Sequence, residues 1–170
     1  MEDKVTGWHI GVAAEAIAAA QFARAGLYVS VQYGADQPEY DLIVTRGEQM
    51  LKVSVKGSQD GAWGLTQKYL KNADYHGAIN EWLRRHTRRT VFCFVQFEGV
   101  ALDALPRVYL ATVDEVAEQL KANAAGRGAT MLYENHAWGG RAHAQGTVDR
   151  IPDAWRFSRA RIDNLLGEAL

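Results

Sequence analysis

The chain has a single cysteine among its 170 residues. That residue, Cys93, lies in the apolar stretch "TVFCFVQF", which is typical of a buried strand. One thiol can form neither an internal disulfide nor a cysteine-rich zinc site. These two classes are therefore excluded, and we expect a protein of the reducing cytoplasm.

Long apolar runs are also missing from the sequence. No stretch approaches the roughly 20 apolar residues that a helix needs to cross a bilayer, and the start "MEDKVTGWHIGVAAEA" lacks the basic beginning and apolar run of a signal peptide. The glycines of "KGSQDGAWG" have neither the spacing nor the Lys-Ser/Thr ending of a phosphate-binding loop. We expect a cytosolic protein without a membrane partner, and a homo-oligomer is compatible with this sequence.

The charges are unevenly distributed, although the net charge is only −1. Residues 1–50 contain seven acids and three bases, whereas residues 51–100 contain eight bases and four acids. We predict that the basic residues near and within "RRHTRR" contact nucleic-acid phosphates; they are Lys68, Lys71, Arg84, Arg85, Arg88 and Arg89. A solvated helix end, where arginines complement the helix dipole, explains the densest cluster equally well.

Hydrophobic patterns and capping residues predict the order of the elements. A helix is expected from Gly7 to Ala25, with Thr6 as its N-cap and Gly26 beyond its end. Strands follow in "LYVSVQY", "YDLIVT" and "QMLKVSVK", the last two as a hairpin, and then a helix over about residues 65–85. Further on we expect strands in "TVFCFVQF", "RVYLA" and "ATMLYE", a helix opened by Thr112 and Glu115, an ordered loop in "HAWGGRAHAQGTVDRIPDAW" and a terminal helix.

A chain of 170 residues is about one domain in size. The order helix, three strands, helix, strand covers about residues 6–97, with additions over residues 98–170. It predicts a single α/β domain, residues 1–170, built as an α/β sandwich with a mixed central sheet.

Four polar residues stand out against this background. Glu15 interrupts a small-residue face of the first helix, and Asp41 opens the strand "DLIVT", a position that aspartate usually avoids. On the next strand, Leu51, Val53 and Val55 alternate with Lys52, Ser54 and Lys56. Singly, Glu15 and Lys56 are most simply explained as solvated, and Asp41 as a turn or edge residue.

Together these residues resemble the motif of the PD-(D/E)XK nuclease superfamily, which has the restriction-endonuclease-like α/β/α fold. The resemblance implies that Asp41 is the motif aspartate, that Lys56 is the motif lysine, and that Glu15 is the first-helix glutamate of many members. Pro38 lies three residues before Asp41 instead of adjacent to it. We expect Ser54 and Lys56 to face the side of the sheet on which Glu15 lies.

The implied activity is metal-dependent hydrolysis of a phosphodiester, in DNA rather than RNA. Mg²⁺ or Mn²⁺ would be held by Asp41 and Glu15, because hard cations take carboxylate oxygens. Lys56 would orient water or stabilise charge on the phosphate. Ser54 and Gln67 are assigned beside these three residues in the catalytic site.

Ser54 departs from the motif, which has an acid at this position. A hydroxyl is a poor substitute for a carboxylate as a magnesium ligand, and Asp60, Gln67 and Asp74 are unproven replacements. One alternative is therefore a nuclease fold that has lost catalysis and acts as a nucleic-acid-binding or assembly subunit. Another is an unrelated α/β interaction protein in which these residues are surface coincidences.

Overall fold

The computed structural model describes residues 4–33 and 39–168. This part of the chain forms four helices, α1 (Gly7–Arg24), α2 (Tyr75–Arg84), α3 (Val113–Ala122) and α4 (Arg159–Glu168). Its strands are β1 (Tyr28–Val31), β2 (Leu42–Arg46), β3 (Gln49–Ser58), β4 (Ala62–Gly64), β5 (Thr90–Gln96), β6 (Arg107–Thr112), β7 (Met131–Tyr133), β8 (Asn135–Ala137) and β9 (Val148–Arg150). Within the described residues, no helix has the length and apolar character needed to span a membrane.

Five strands form the central sheet in the order β1-β2-β3-β5-β6. The pairs β1–β2, β2–β3 and β5–β6 are antiparallel, while β3 and β5 are parallel. The predicted α/β class with a mixed sheet is therefore confirmed, as is the hairpin of β2 and β3. Its turn contains Gly47 with φ +61°, a left-handed conformation that glycine adopts without strain.

Helices cover both faces of this sheet. The face that we call the α1 face packs against α1 and α4, and its cluster includes Val53, Val55, Cys93, Ala14, Ala18 and Ile162. The opposite face, called the α2 face, packs against α2 and α3 through a cluster that includes Phe92, Phe94, Ile79, Trp82, Val116 and Leu120. Side chains alternate along β5, so this strand contributes to both clusters, whereas β3 contributes its apolar residues Leu51, Val53 and Val55 to the α1-face cluster.

Helix α1 begins and ends where the sequence predicts. Thr6 is its N-cap, and His9 Nδ1 accepts a 3.1 Å hydrogen bond from the Thr6 backbone N–H. Gly26 follows the helix with φ +86°, the left-handed conformation common just beyond a helix end. Local capping chemistry is sufficient to set both ends.

The helix predicted over residues 65–85 is shorter than expected. A 3-10 turn occupies Gln67–Tyr69, and α2 begins only at Tyr75. Asn72 and Ala73 have φ values of 50° and 57°, which a right-handed helix excludes. Asp74 then caps α2 by accepting a 2.8 Å hydrogen bond from the Gly77 N–H.

The segment expected to be an ordered loop contains the antiparallel pair of β8 and β9. A second small sheet, outside this segment, is formed by β4 and β7. β7 lies within the predicted strand "ATMLYE", whereas β4, β8 and β9 were not predicted, because three residues are too few to show a period of two in the sequence. Glu134, between β7 and β8, ties this region to β6. Its carboxylate accepts bonds from Arg107 Nε at 2.6 Å and Nη2 at 2.9 Å, and from the Tyr109 hydroxyl at 2.6 Å. Burial alone raises the pKa of Glu134, but these hydrogen bonds bring it below its usual value.

Candidate functional site

Asp41 lies immediately before β2 and is bound to the backbone of β3 on both sides of Ser54. Its N–H donates a 2.8 Å hydrogen bond to the Val53 carbonyl, and its Oδ2 accepts a 2.6 Å bond from the Val55 N–H. The aspartate side chain thus serves as the acceptor that a neighbouring strand usually supplies. This explains how an aspartate is accommodated at a strand start, and it places Asp41 next to the stretch of β3 that contains Ser54.

Glu15 is half-buried on α1, adjacent to Ala14, which is fully buried against the sheet. Burial raises the pKa of the Glu15 carboxyl above its usual value, and the negative charge of Asp41 raises it further. The positive charge of Lys56 acts in the opposite direction and lowers it. Glu15 is therefore within electrostatic reach of both Asp41 and Lys56.

A close approach of α1 to β3 brings these groups together. A Cβ atom at Gly57 would lie 2.8 Å from Ala14 Cβ, 2.8 Å from the Ile10 carbonyl oxygen and 2.9 Å from Ile10 Cγ2. Only glycine fits at such distances, so Gly57 allows the helix to rest on the end of the strand. Glu15 follows Ala14, and Lys56 precedes Gly57, at this contact.

Ser54 and Lys56 were expected to face the side of the sheet on which Glu15 lies. This expectation is wrong, because both side chains leave β3 on the α2 face. Ser54 pairs with Phe92 and Lys56 with Phe94, and both phenylalanines belong to the α2-face cluster. Helix α1 instead covers the apolar residues Val53 and Val55. The physical reason is that the alanine-rich helix buries its apolar face against the apolar side of β3.

Lys56 is half-buried at this end of the sheet. Its carbonyl oxygen accepts a 3.0 Å hydrogen bond from Trp63 Nε1, and Trp63 is itself buried in the α2-face cluster. The backbone at Lys56 is therefore held in place, while the long side chain carries the ammonium to within electrostatic reach of Glu15.

Gln67 is not joined to this group by any hydrogen bond among the described residues. It lies exposed on the 3-10 turn, and a Cβ at Gly64 would collide with its Nε2. The two other acids considered as replacements have structural partners. Asp60 Oδ1 accepts a 2.9 Å bond from the Ser58 hydroxyl, and Asp74 caps α2.

The predicted phosphate contacts separate into two groups. Lys68, Lys71 and Arg85 line a cavity of about 350 Å³ beside α2. Lys68 Nζ lies 4.9 Å and Arg85 Cζ 5.3 Å from the centre of the Tyr69 ring. Arg84 and Arg85 both pair with Glu81. This group, which we call the α2 groove, lies on the face from which Lys56 projects.

Arg88 and Arg89 line a different cavity, of about 510 Å³, together with Leu51 and Asp114. Arg88 forms an ion pair with Asp114. These arginines precede β5, whose first residue, Thr90, pairs with Lys52. Lys56 lies four residues beyond Lys52 on β3, a distance of about 13 Å at the usual rise of a strand. Arg88 and Arg89 therefore lie toward the end of the sheet opposite Lys56.

Among the described residues, no group of three or more histidine, cysteine, aspartate or glutamate side chains could hold a metal ion. Glu15 and Asp41 are thus a pair of acids without a third. Two carboxylates are still compatible with Mg²⁺, which usually keeps several waters and takes one or two protein carboxylates. Burial is the main cause of the raised pKa of Glu15 and repulsion from Asp41 the second, and a cation between the two carboxylates would relieve that repulsion.

Comparisons with known proteins found no matching family model and no matching curated protein. Two residues near the candidate site, Gly57 and Trp8, were not predicted from the sequence. Gly57 had a usable signal, because glycine inside a strand pattern often marks a close backbone approach. No sequence pattern indicated that Trp8 on α1 would be exposed.

Proposed function

We propose that this protein is a metal-dependent nuclease that hydrolyses a phosphodiester of DNA on a restriction-endonuclease-like fold. The observation that supports the proposal is the close contact of α1 with β3 at Gly57, next to Lys56, together with the hydrogen bond that ties Asp41 to Val55 on the same strand. In agreement with this contact, the charges of Asp41 and Lys56 both act on the pKa of Glu15. Two acids that can hold a cation and a lysine that can stabilise charge on a phosphate are suited to metal-dependent phosphodiester hydrolysis.

Each residue has a distinct role in this proposal. Mg²⁺ or Mn²⁺ would polarise a phosphoryl oxygen and lower the pKa of a water. Asp41 and Glu15 supply the carboxylates that hold the cation, and the bond from Val55 orients Asp41 beforehand. The ammonium of Lys56 orients the attacking water or stabilises the negative charge that develops on the phosphate.

A second function is favoured by a specific observation, the neutral hydroxyl of Ser54 beside Asp41 together with the lack of a third acid among the described residues. Under this alternative the fold has lost catalysis and serves as a nucleic-acid-binding or assembly subunit. The cations of the α2 groove would be retained, because binding to phosphates needs no metal.

Plasmid nicking and calorimetric titration with Mn²⁺ test the two functions. We expect Asp41→Asn to lose both metal binding and nicking, and Lys56→Ala to lose nicking by roughly 100-fold or more. Lys52→Ala is the matched control, since Lys52 is a half-buried lysine on the same side of β3 and should leave nicking unchanged. DNA binding by the wild type without metal-dependent nicking would favour the second function and reject the first.

A further inference from the structure

Trp8 is a large apolar side chain that the fold leaves 71% exposed. Val5 and Val12, three and four residues away, are 52% and 49% exposed. Trp8 and Val12 lie one turn apart on the outside of the N-terminal half of α1, and Val5 precedes its N-cap, Thr6. We call these three residues the apolar strip; exposed apolar side chains that are grouped in this way commonly mark a binding site.

The strip leads directly to the proposed active site. Trp8 and Glu15 are seven residues apart, so they lie on the same side of the helix and are separated by about 10 Å along its axis. Ile10 contacts the position of Gly57 at the end of β3, which places the first turns of α1 at the sheet end that holds Lys56. Trp8 therefore extends the candidate site outward along α1.

The exposed indole also has a fixed neighbour. His9 Nδ1 lies 3.1 Å from the Thr6 backbone nitrogen and 2.8 Å from Thr6 Oγ1, so the N-cap of α1 holds the imidazole in place. The Trp8 and His9 rings meet edge to face, with centroids 5.2 Å apart and an interplanar angle of 77°. A ring that is already oriented loses less conformational freedom when it binds a ligand.

We infer that Trp8 stacks on an unpaired base of the nucleic-acid strand that is cleaved at Glu15, Asp41 and Lys56. This inference rests on the proposed function and specifies its substrate class. The separation of about 10 Å corresponds to roughly three nucleotides at the 3.4 Å rise of a stacked strand. A base inside an intact duplex is already stacked on both sides, so the substrate is a strand with a single-stranded segment beside the cleavage point.

The test compares two fluorescently labelled ligands of equal length, an oligo-dT strand and a blunt duplex, by anisotropy in EDTA. Trp8→Ala is expected to weaken binding of the single strand by roughly 5- to 100-fold, the range for one stacked base, and to leave duplex binding unchanged. Trp8→Phe should retain most of the affinity. Tyr28→Ala is the matched control, because Tyr28 is an aromatic residue 81% exposed at the far end of β1.

The salt dependence of single-strand binding should be the same for wild type and Trp8→Ala, since stacking releases no counterions. Unchanged affinity, an equal loss for both ligands, or no binding of either ligand by the wild type would overturn the inference. So would a change from dimer to monomer on Trp8→Ala in sedimentation, which would identify the strip as a subunit contact. Metal-dependent nicking is measured in a separate assay. If the protein nicks DNA and Trp8→Ala binds the single strand as tightly as the wild type, only the stacking role of Trp8 is rejected. If single-strand binding depends on Trp8 but no nicking occurs, only the proposed nuclease activity is rejected.

Discussion

The Val55 N–H donates a 2.6 Å hydrogen bond to the Asp41 carboxylate, across the point where β2 begins. Asp41 is also held by its own N–H, which donates to the Val53 carbonyl. The orientation of this acid is thus set by the backbone of β3 and needs neither metal nor substrate. An asparagine at position 41 keeps an oxygen that can accept the Val55 bond, so Asp41→Asn removes charge with little change in structure.

The pKa of Glu15 reports directly on its two charged neighbours. Asp41→Asn should lower this pKa, because a negative neighbour is removed, and Lys56→Met should raise it, because a positive one is lost. A pH titration of the Glu15 carboxyl by NMR in the three proteins measures both effects. If neither substitution moves the titration, the three groups do not share a site.

The raised pKa of Glu15 also predicts a pH dependence of stability. Because the folded state disfavours the ionised carboxyl, the contribution of Glu15 is fully present below its ordinary pKa of 4.5 and is lost as the pH rises through the folded value. Glu15→Gln should therefore increase the free energy of unfolding at pH 7 and have little effect at pH 4. Urea denaturation at the two pH values checks the sign, and a loss of stability at pH 7 would contradict it.

Replacing Ser54 by glutamate adds a carboxylate beside Asp41, and we expect it to tighten Mn²⁺ binding. Ser54 is only 2% exposed, so the variant should also lose about 1–3 kcal/mol of stability from burying a larger polar group. Ser54→Gln is the matched control, with nearly the same volume and no charge. Equal Mn²⁺ affinity for the two variants in calorimetry would show that position 54 is not the acidic position of the motif.

Gly57→Ala should push α1 away from β3, because its new Cβ would lie 2.8 Å from Ala14 Cβ. We expect a loss of about 1–3 kcal/mol, as for overpacked cores, and a fall in nicking as Glu15 moves. Gly11→Ala on the same helix is the control, since nothing lies within 4 Å of its added Cβ; it should stabilise the helix by up to about 1 kcal/mol. Unfolding curves that rank the two variants the other way would refute the close contact.

The two cationic groups predict different salt dependences of DNA binding. If the α2 groove contacts phosphates, Lys68→Ala with Lys71→Ala should make the slope of log affinity against log salt shallower by about two ion equivalents. Arg88→Ala with Arg89→Ala removes the same charge toward the other end of the sheet and should leave the slope nearly unchanged. The reverse result would move the binding surface to those arginines.

Much of the fold could be read from local patterns. The caps of α1, the alternation along β3 and the Thr112–Glu115 capping box each depend on residues a few positions apart. Short-range sterics and hydrogen bonds are sufficient to specify them, and the structure agrees in each case. Glu15 and Asp41 could be selected in the same way, because each contradicts the pattern of its own element, whereas Ser54 and Lys56 follow the alternation of β3 and were selected by their places in the motif.

Distant contacts decided the rest. Helix α1 is alanine-rich and buries its apolar face against the apolar side of β3. Because α1 covers that side, Ser54 and Lys56 face the α2 face. The pairing of β4 with β7, and the ion pair that holds Arg88 at Asp114, likewise depend on chain segments far apart in sequence. The sequence by itself therefore determined the elements and the chemically unusual residues, whereas only tertiary packing decided which of them meet, because the free energy of those contacts comes from surfaces that are buried only once the chain has folded.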